Sequence, residues 1–425
     1  MPHIVLLGTC DTKLDELLYL RAQIQEHDNA SQVTLVDVGR SETKHEAITV
    51  TQETLTTKYG PSGNQDISTL ARGDVIKHMI VCASNWLRKA YQGGLNDSSQ
   101  AIHGLISAGG TGGTSLAAGV MREAVPIGLP KLIVSTAASG DTGPIVGESD
   151  ITLMYSVVDI AGTNSLLKRI LSNAAGAIHG MSSMYEKSLR DRLNKQDTKR
   201  RIGLTMFGVT TPCIDIIRRH LESTYDVECF VFHCTGHGGL AMERLIQQGS
   251  LDAVLDITTT EVCDHLVDGG VMSAGPHRLE SALRAGIPCI ISVGATDMVN
   301  FGPVATVPEQ YIKAGRKLFE HNPTVTLMRT NTEECRAIGD FITGKIKQFV
   351  KDQSKVKVML PLGGVSMIST PDGPFHYPEA DRALFGSISA GLHGSEVDVI
   401  KEDSAINDET FAMKVVENLV QMMGL

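Results

Sequence analysis

The stretch Gly104–Val120 reads GLISAGGTGGTSLAAGV. GLISA has the makeup of a short buried strand, and an Ala-rich helix is expected from about Thr114. Between them, Gly109–Ser115 places four glycines and three hydroxyl residues in seven positions. A strand that passes through so bare a loop into a helix is a βα unit of a parallel α/β sheet. In such sheets ligands sit beyond the carboxyl ends of the strands. Bare main-chain N–H groups there can approach an anion without side-chain clash, and the helix adds its own unpaired N–H groups and positive dipole end. Gly109, Gly110, Thr111, Gly112, Gly113, Thr114 and Ser115 are therefore candidate phosphate ligands, the hydroxyls serving as donors or as helix caps. A tight turn with close helix–sheet packing is the alternative for the same residues.

The pattern extends outward. The chain starts with a strand, HIVLLG, a loop, TCDTK, and a helix with Leu14, Leu17, Leu18 and Ile24 along one side; a second strand, QVTLVDVG, follows. The same order restarts at RIGLTMFGVTTPCIDIIRRHLES, where Gly208 falls opposite Gly8. VTLVDVG then matches CFVFHCTG, and IGLPKLIVSTAASGDTGPI matches AGIPCIISVGATDMVNFGP. The expectation is an α/β protein of two Rossmann-like domains, residues 1–190 and 200–425, with mostly parallel sheets and an interdomain crevice. The charged segment YEKSLRDRLNKQDTKRR, 185–201, reads as a helix end and an exposed linker. An additional segment, 41–100, carries a helix with Val75, Met79, Cys82 and Trp86 on one side, the pattern of a core row.

Composition narrows the partners. The chain has 425 residues and a formal net charge of −10, which argues against a nucleic-acid backbone. Aromatic content is 4% with one Trp, too few stacking platforms for single strands. No run of about 18 apolar residues is present, so no membrane span is expected. The first residues lack a signal-peptide layout, and the eight cysteines show no CxxC spacing. Reduced thiols in a cytoplasmic protein are the expectation.

The Gly/Thr loop is not a Walker A motif, because no Lys follows its last Gly. Lys13, on the neighbouring loop, supplies a candidate cation, and Asp11 a candidate Mg²⁺ ligand. The first loop, GTCDTK, has one Gly and an acid where a dinucleotide fingerprint needs bare backbone, so a mononucleotide such as ATP fits better than NAD. Arg40 and Arg72 could reach phosphate or ribose. In the second half, His233 and His237 are four apart, a zinc spacing on a helix, but CTGHGG is too Gly-rich to be read as helical and no third ligand is spaced to join them. His233 is instead a candidate general acid/base or anion donor. Asp256 and Glu261 flank a hydroxyl-rich turn, and Asp297 and Asn300 sit in the loop matching STAASG. These polar loops point to a small polar metabolite in the interdomain crevice; each acid alternatively caps a turn or helix. No nucleophile declares itself: GVSMI, 364–368, is not a G-x-S-x-G elbow.

The strings GTCDTKLDEL, GGTGGTSL, LPKLIVSTAASG, SVVDIAG, MFGVTTPC, VFHCTGHGGLAMERL, LDITTTEV and VGATDMVNFGP span essentially the whole chain. Together they resemble the Tm-type ATP-binding family of two-subdomain proteins, which includes the inhibitory N-terminal region of the tomato mosaic virus resistance protein. The resemblance implies two Rossmann-like subdomains, a homodimer, and ATP bound in the first subdomain. By motif it assigns ATP contacts to Asp11, Thr12 and Lys13, to Arg72 and Gly73, and to Gly110–Thr114. The plant member continues into a further domain similar to a phosphoenolpyruvate-handling barrel, so a stand-alone metabolic role is expected here in place of an antiviral one. His237 stands where the plant member has a residue that does not titrate, which weakens a two-His site. The functional expectation is an ATP-binding protein with Mg²⁺, acting as an ATP-dependent enzyme on a small polar metabolite. The alternative is a non-catalytic ATP-binding module that binds or regulates a protein partner.

Overall fold

The computed structural model describes residues 1–27, 31–61, 67–194 and 199–425. The chain divides into two compact units, Met1–Asp197 and Thr198–Leu425. The first unit runs β1 (His3–Gly8), α1 (Cys10–His27), β2 (Gln32–Asp37), β3 (Ile48–Val50), α2 (Gln52–Tyr59), α3 (Arg72–Asn96), β4 (Gly104–Gly109), α4 (Thr111–Ala124), β5 (Lys131–Ser135), α5 (Gly143–Val146), β6 (Thr152–Tyr155) and α6 (Ser165–Asn194). Its six strands form one parallel sheet in the order β3-β2-β1-β4-β5-β6, the order of a dinucleotide-binding fold.

Strands buried on both faces explain the unbroken apolar runs in the sequence. Alternate residues of β1 go to opposite layers. Ile4 and Leu6 join a core with Leu17, Leu20 and Ile24 of α1 and Leu167 and Leu171 of α6. Val5 and Leu7 join the other core, with Met79 and Ala83 of α3 and Leu116 and Val120 of α4. Gly8 ends β1 because α1 presses on it: a Cβ there would lie 2.2 Å from Leu17 Cδ1.

The second unit runs β7 (Arg200–Met206), α7 (Thr211–Thr224), β8 (Val227–His233), α8 (His237–Gln247), β9 (Ala253–Thr258), α9 (Thr260–Leu266), α10 (Glu280–Ala285), β10 (Cys289–Gly294), β11 (Met298–Phe301), α11 (Glu309–Lys313), β12 (Leu318–Asn322), β13 (Val325–Arg329), α12 (Thr332–Phe349), β14 (Val356–Pro361), α13 (Pro378–Gly391), β15 (Asp398–Glu402) and α14 (Glu409–Met423). The main sheet is parallel, in the order β15-β14-β10-β9-β7-β8. The internal likeness has a topological counterpart: β8-β7-β9-β10-β14 follows the same path as β2-β1-β4-β5-β6. The first unit adds β3 at one edge and the second adds β15 at the other.

Four features differ from the sequence reading. The second unit has a small antiparallel sheet, β11-β13-β12. α4 begins at Thr111, not Thr114, because Thr114 N–H already closes a turn onto Gly110 O at 2.8 Å. α8 takes in HGG from His237, its first turn anchored by Glu261, which accepts from Gly236 and Gly239 N–H. α6 extends through much of the expected linker, to Asn194.

Candidate functional site

The connection out of β1 goes to one side of the sheet and β4 lies on the other, so the loops beyond their carboxyl ends diverge. A cavity of about 480 Å³ opens at this switch point. Three helices point their first turns at it. Thr9 and Asp11–Lys13 come from the start of α1, Arg72, Val75 and Ile76 from α3, and Gly110, Gly112, Gly113 and Leu116 from the start of α4. Val38 and Arg40, after β2, complete the lining. No side chain caps α3 or α4, so their first main-chain N–H groups are left for a ligand.

The glycines of α4 differ in role. A Cβ at Gly109 would lie 3.3 Å from Gly113 Cα, so β4 and α4 meet closely at this junction. A Cβ at Gly112 would meet Arg72 Nη2 at 3.1 Å, which places the guanidinium over the helix start. A Cβ at Gly113 would meet nothing within 4 Å and would project into open space.

Lys13, Arg40 and Arg72 surround the cavity with three cations, against one acid, Asp11. Such a local excess of positive charge, in a chain of net charge −10, is the electrostatics of an anion site. Lys13 leaves helical geometry, at φ −136° and ψ 23°, which kinks the first turn of α1. Arg40 donates from Nη2 to Leu70 O at 3.0 Å. Asp11 Oδ2 accepts from Arg40 N–H and Ser41 N–H at 3.0 and 3.2 Å, tying the loop after β2 to α1. Asp37, fully buried beneath, accepts from Cys10 N–H and Gly39 N–H and braces the same junction. Burial, reinforced by nearby Asp11, raises its carboxyl above the usual range.

Several expected contacts lie outside the cavity wall. Thr114 is buried, its hydroxyl engaged with Ser135 Oγ at 2.7 Å and Gly109 O. Thr111 and Ser115 are exposed, and neither lines the cavity. Gly73 follows Arg72 in the first turn of α3 without lining the cavity. Thr9, Val38, Val75, Ile76 and Leu116 line it without having been singled out as ligands. Val75 was legible only as a core residue, since one residue serves both roles.

In the second unit most of the expected polar residues are buried and taken up by partners within that unit. Arg278, 1% exposed, forks onto both Asp256 oxygens and donates from Nε to Glu261 Oε2 at 2.8 Å. Glu243 accepts from Leu279 and Ser281 N–H and faces the same guanidinium. Asp297 is fully buried; its Oδ2 accepts from Ser366 Oγ at 2.7 Å, and burial pushes its carboxyl up to about 6. Asn300, also buried, donates to Asp264 Oδ1 at 3.1 Å. His233 is exposed at the end of β8, stacked on Phe207 with ring centroids 5.6 Å apart. Among the described residues no group of three or more His, Cys, Asp or Glu could hold a metal ion. All eight cysteines are free thiols. No helix among the described residues is long and apolar enough to cross a membrane.

Comparison with known proteins gives the family. Residues 2–187 match the model described as Uncharacterised protein family (UPF0261) N-terminal domain, and residues 199–423 the corresponding C-terminal domain. The chain belongs to the UPF0261 family. It is 41% identical over 420 residues to a UPF0261 protein of Clostridium tetani, covering 99% of this chain and 98% of that protein. It is 39% identical over 441 residues to the ToMV resistance protein Tm-1(GCR237) of Solanum lycopersicum, covering 99% of this chain but 56% of the plant protein. The Tm-type resemblance read from the motifs is therefore real. A solved UDP-N-acetylglucosamine 2-epimerase aligns over 100% of this chain and 97% of its own, at 10% identity and a TM-score of 0.19, which carries no argument about function.

Proposed function

We propose that this UPF0261 chain is an ATP-binding protein whose first unit seats the triphosphate at the start of α4. The observation that carries this reading is the joint focus of three helix N-termini and three cations on one cavity at the switch point of the sheet. The apolar wall of Val38, Val75, Ile76 and Leu116 suits a base, and the bare start of α4 suits phosphates. Magnesium fits this lining in the way it usually binds nucleotides, through one carboxylate with the remaining positions filled by phosphate and water. Asp11 is that carboxylate, and its Oδ2 is the oxygen already engaged by the loop after β2. A cytoplasmic setting agrees with the eight free thiols, and a homodimer rests on the Tm-type resemblance alone.

The catalytic form of the proposal is ATP-dependent chemistry on a small polar metabolite. A specific observation favours the second form, a non-catalytic module that binds or regulates a protein partner. Asp256 in β9 and Glu261 at the start of α9 are taken up by Arg278 and main-chain N–H groups. Calorimetric titration of the full chain with Mg-ATP tests the shared claim, and no heat of binding at millimolar ATP would reject it. Long incubation with ATP across a panel of small acids and sugars separates the two forms. Turnover supports the enzyme; intact ATP on a tightly binding protein supports the module.

A further inference from the structure

The first unit has another cavity, of about 220 Å³, at the amino edge of its sheet, the edge opposite the nucleotide site. Its floor comes from β1 and β2, where His3 stands in register beside Gln32, and Val5 beside Thr34. Its wall comes from Trp86 and Ala90, one turn apart on α3. Further along the same sheet face, Leu7 and Val36 pack into an unbroken apolar core against α3 and α4. At the amino edge the sequence supplies a polar floor beneath an aromatic wall and leaves space between them.

The chemistry of that space is neutral. Among the described residues lining it there is no Lys, Arg, Asp or Glu. Burial pushes the His3 imidazole below its ordinary range, outweighing the Ala101 and Gln100 carbonyls that favour the charged ring. His3 Nε2 lies 2.8 Å from Thr34 Oγ1, and both residues line the cavity. An apolar cavity of about 150 Å³ takes a benzene ring; this one is larger and has a polar floor, so it suits one ring with polar substituents.

We propose that this cavity binds a neutral single-ring heteroaromatic molecule carrying amide-type donors and acceptors, the chemistry shared by pyrimidine bases and nicotinamide. Trp86 supplies the aromatic surface, His3 and Thr34 the polar partners, and the absence of charged side chains excludes carboxylate or phosphate ligands. The site is separate from the nucleotide cavity and stands whether or not that cavity takes ATP.

Trp86 is the only tryptophan of the chain, so its emission reports on the cavity directly. The test is titration of the full chain with uracil and with nicotinamide, using benzoate as a charged probe of similar size, in the presence and absence of saturating Mg-ATP. The expected result is a saturable change in emission with uracil or nicotinamide, unaffected by ATP and absent with benzoate. Thr34→Val and His3→Gln, each checked for an unchanged melting curve, should weaken that binding at least tenfold; if one fails to fold, the other decides. No saturable response to either neutral probe would overturn the proposal. So would an equal response to benzoate, or a signal that ATP abolishes.

Discussion

Replacing Gly113 by Val separates a phosphate cradle from a structural turn. Gly113 lies in the first turn of α4, lines the cavity, and a Cβ added there meets no heavy atom within 4 Å. Its backbone is not among the left-handed positions, so a side chain costs no strain. Valine is a better helix former than glycine by a few tenths of a kcal/mol, and the fold should be as stable as before or slightly more so. The branched side chain would stand where a phosphate must approach the Gly112 and Gly113 N–H groups. A hydrogen bond to a charged group contributes about 1.5–3 kcal/mol, so losing two costs ~3–6 kcal/mol, a drop in ATP affinity of roughly 10²–10⁴-fold. Calorimetry with Mg-ATP, alongside thermal melting, reads both halves of the prediction. A well-folded Gly113→Val protein that binds ATP as tightly as the parent would refute the reasoning. Gly112→Val is a less clean test because its side chain would crowd Arg72, and Gly109→Ala because its Cβ would press within 3.3 Å of the Gly113 backbone.

Three further outcomes are expected. Arg72→Ala and Lys13→Ala should each weaken ATP roughly tenfold to a hundredfold while leaving melting unchanged, and should weaken AMP less, because a triphosphate carries the charge they meet; equal losses for AMP and ATP, measured by calorimetry, would contradict that role. Arg278→Met should destabilise the second unit by about 3–5 kcal/mol in denaturant unfolding, because it leaves Asp256, Glu261 and Glu243 buried without their cation; a change within ~0.5 kcal/mol would show the cluster to be unimportant for folding. Burial holds Asp297 at about 6 against 3.8 for an ordinary aspartate. Its stabilising contribution is therefore fully present below the lower value and is lost as pH rises through the higher one, by up to ~3 kcal/mol. Asp297→Asn should gain on the parent in unfolding free energy between about pH 4 and 7, and a difference that stays flat with pH would sink the argument.

The repeat was legible because both sheets are parallel with central strands buried on both faces, so IVLLG and IGLTM are each mostly apolar, with turns at matching places. The cavity at the start of α4 was legible as a candidate site because bare residues at a strand end have few other uses. What stayed hidden depended on distant partners. Asp256 and Glu261 looked like ligands because polar residues follow a strand, but their partner Arg278 lies about twenty residues on, in MSAGPHR, with no local signal of burial. The sheet β11-β13-β12 escaped notice because its strands are four or five residues long and lie amid Pro and Gly. The starts of α4 and α8 fell inside glycine-rich segments, where propensity speaks against helix and tertiary anchoring overrides it. The cavity under Trp86 was read as a core row, since the spacing of Val75, Met79, Cys82 and Trp86 does not reveal that His3 and Gln32 oppose its last member.

Gripping of a nucleotide's phosphates by main-chain N–H groups at the start of α4 is the claim on which the functional account stands. Diffraction from crystals of the full chain grown with a non-hydrolysable ATP analogue and magnesium tests it most directly. The account predicts phosphate oxygens within hydrogen-bonding distance of the Gly112 and Gly113 N–H groups, with Arg72 and Lys13 alongside. Phosphates seated anywhere else, or a cavity that stays empty at saturating analogue, would contradict it.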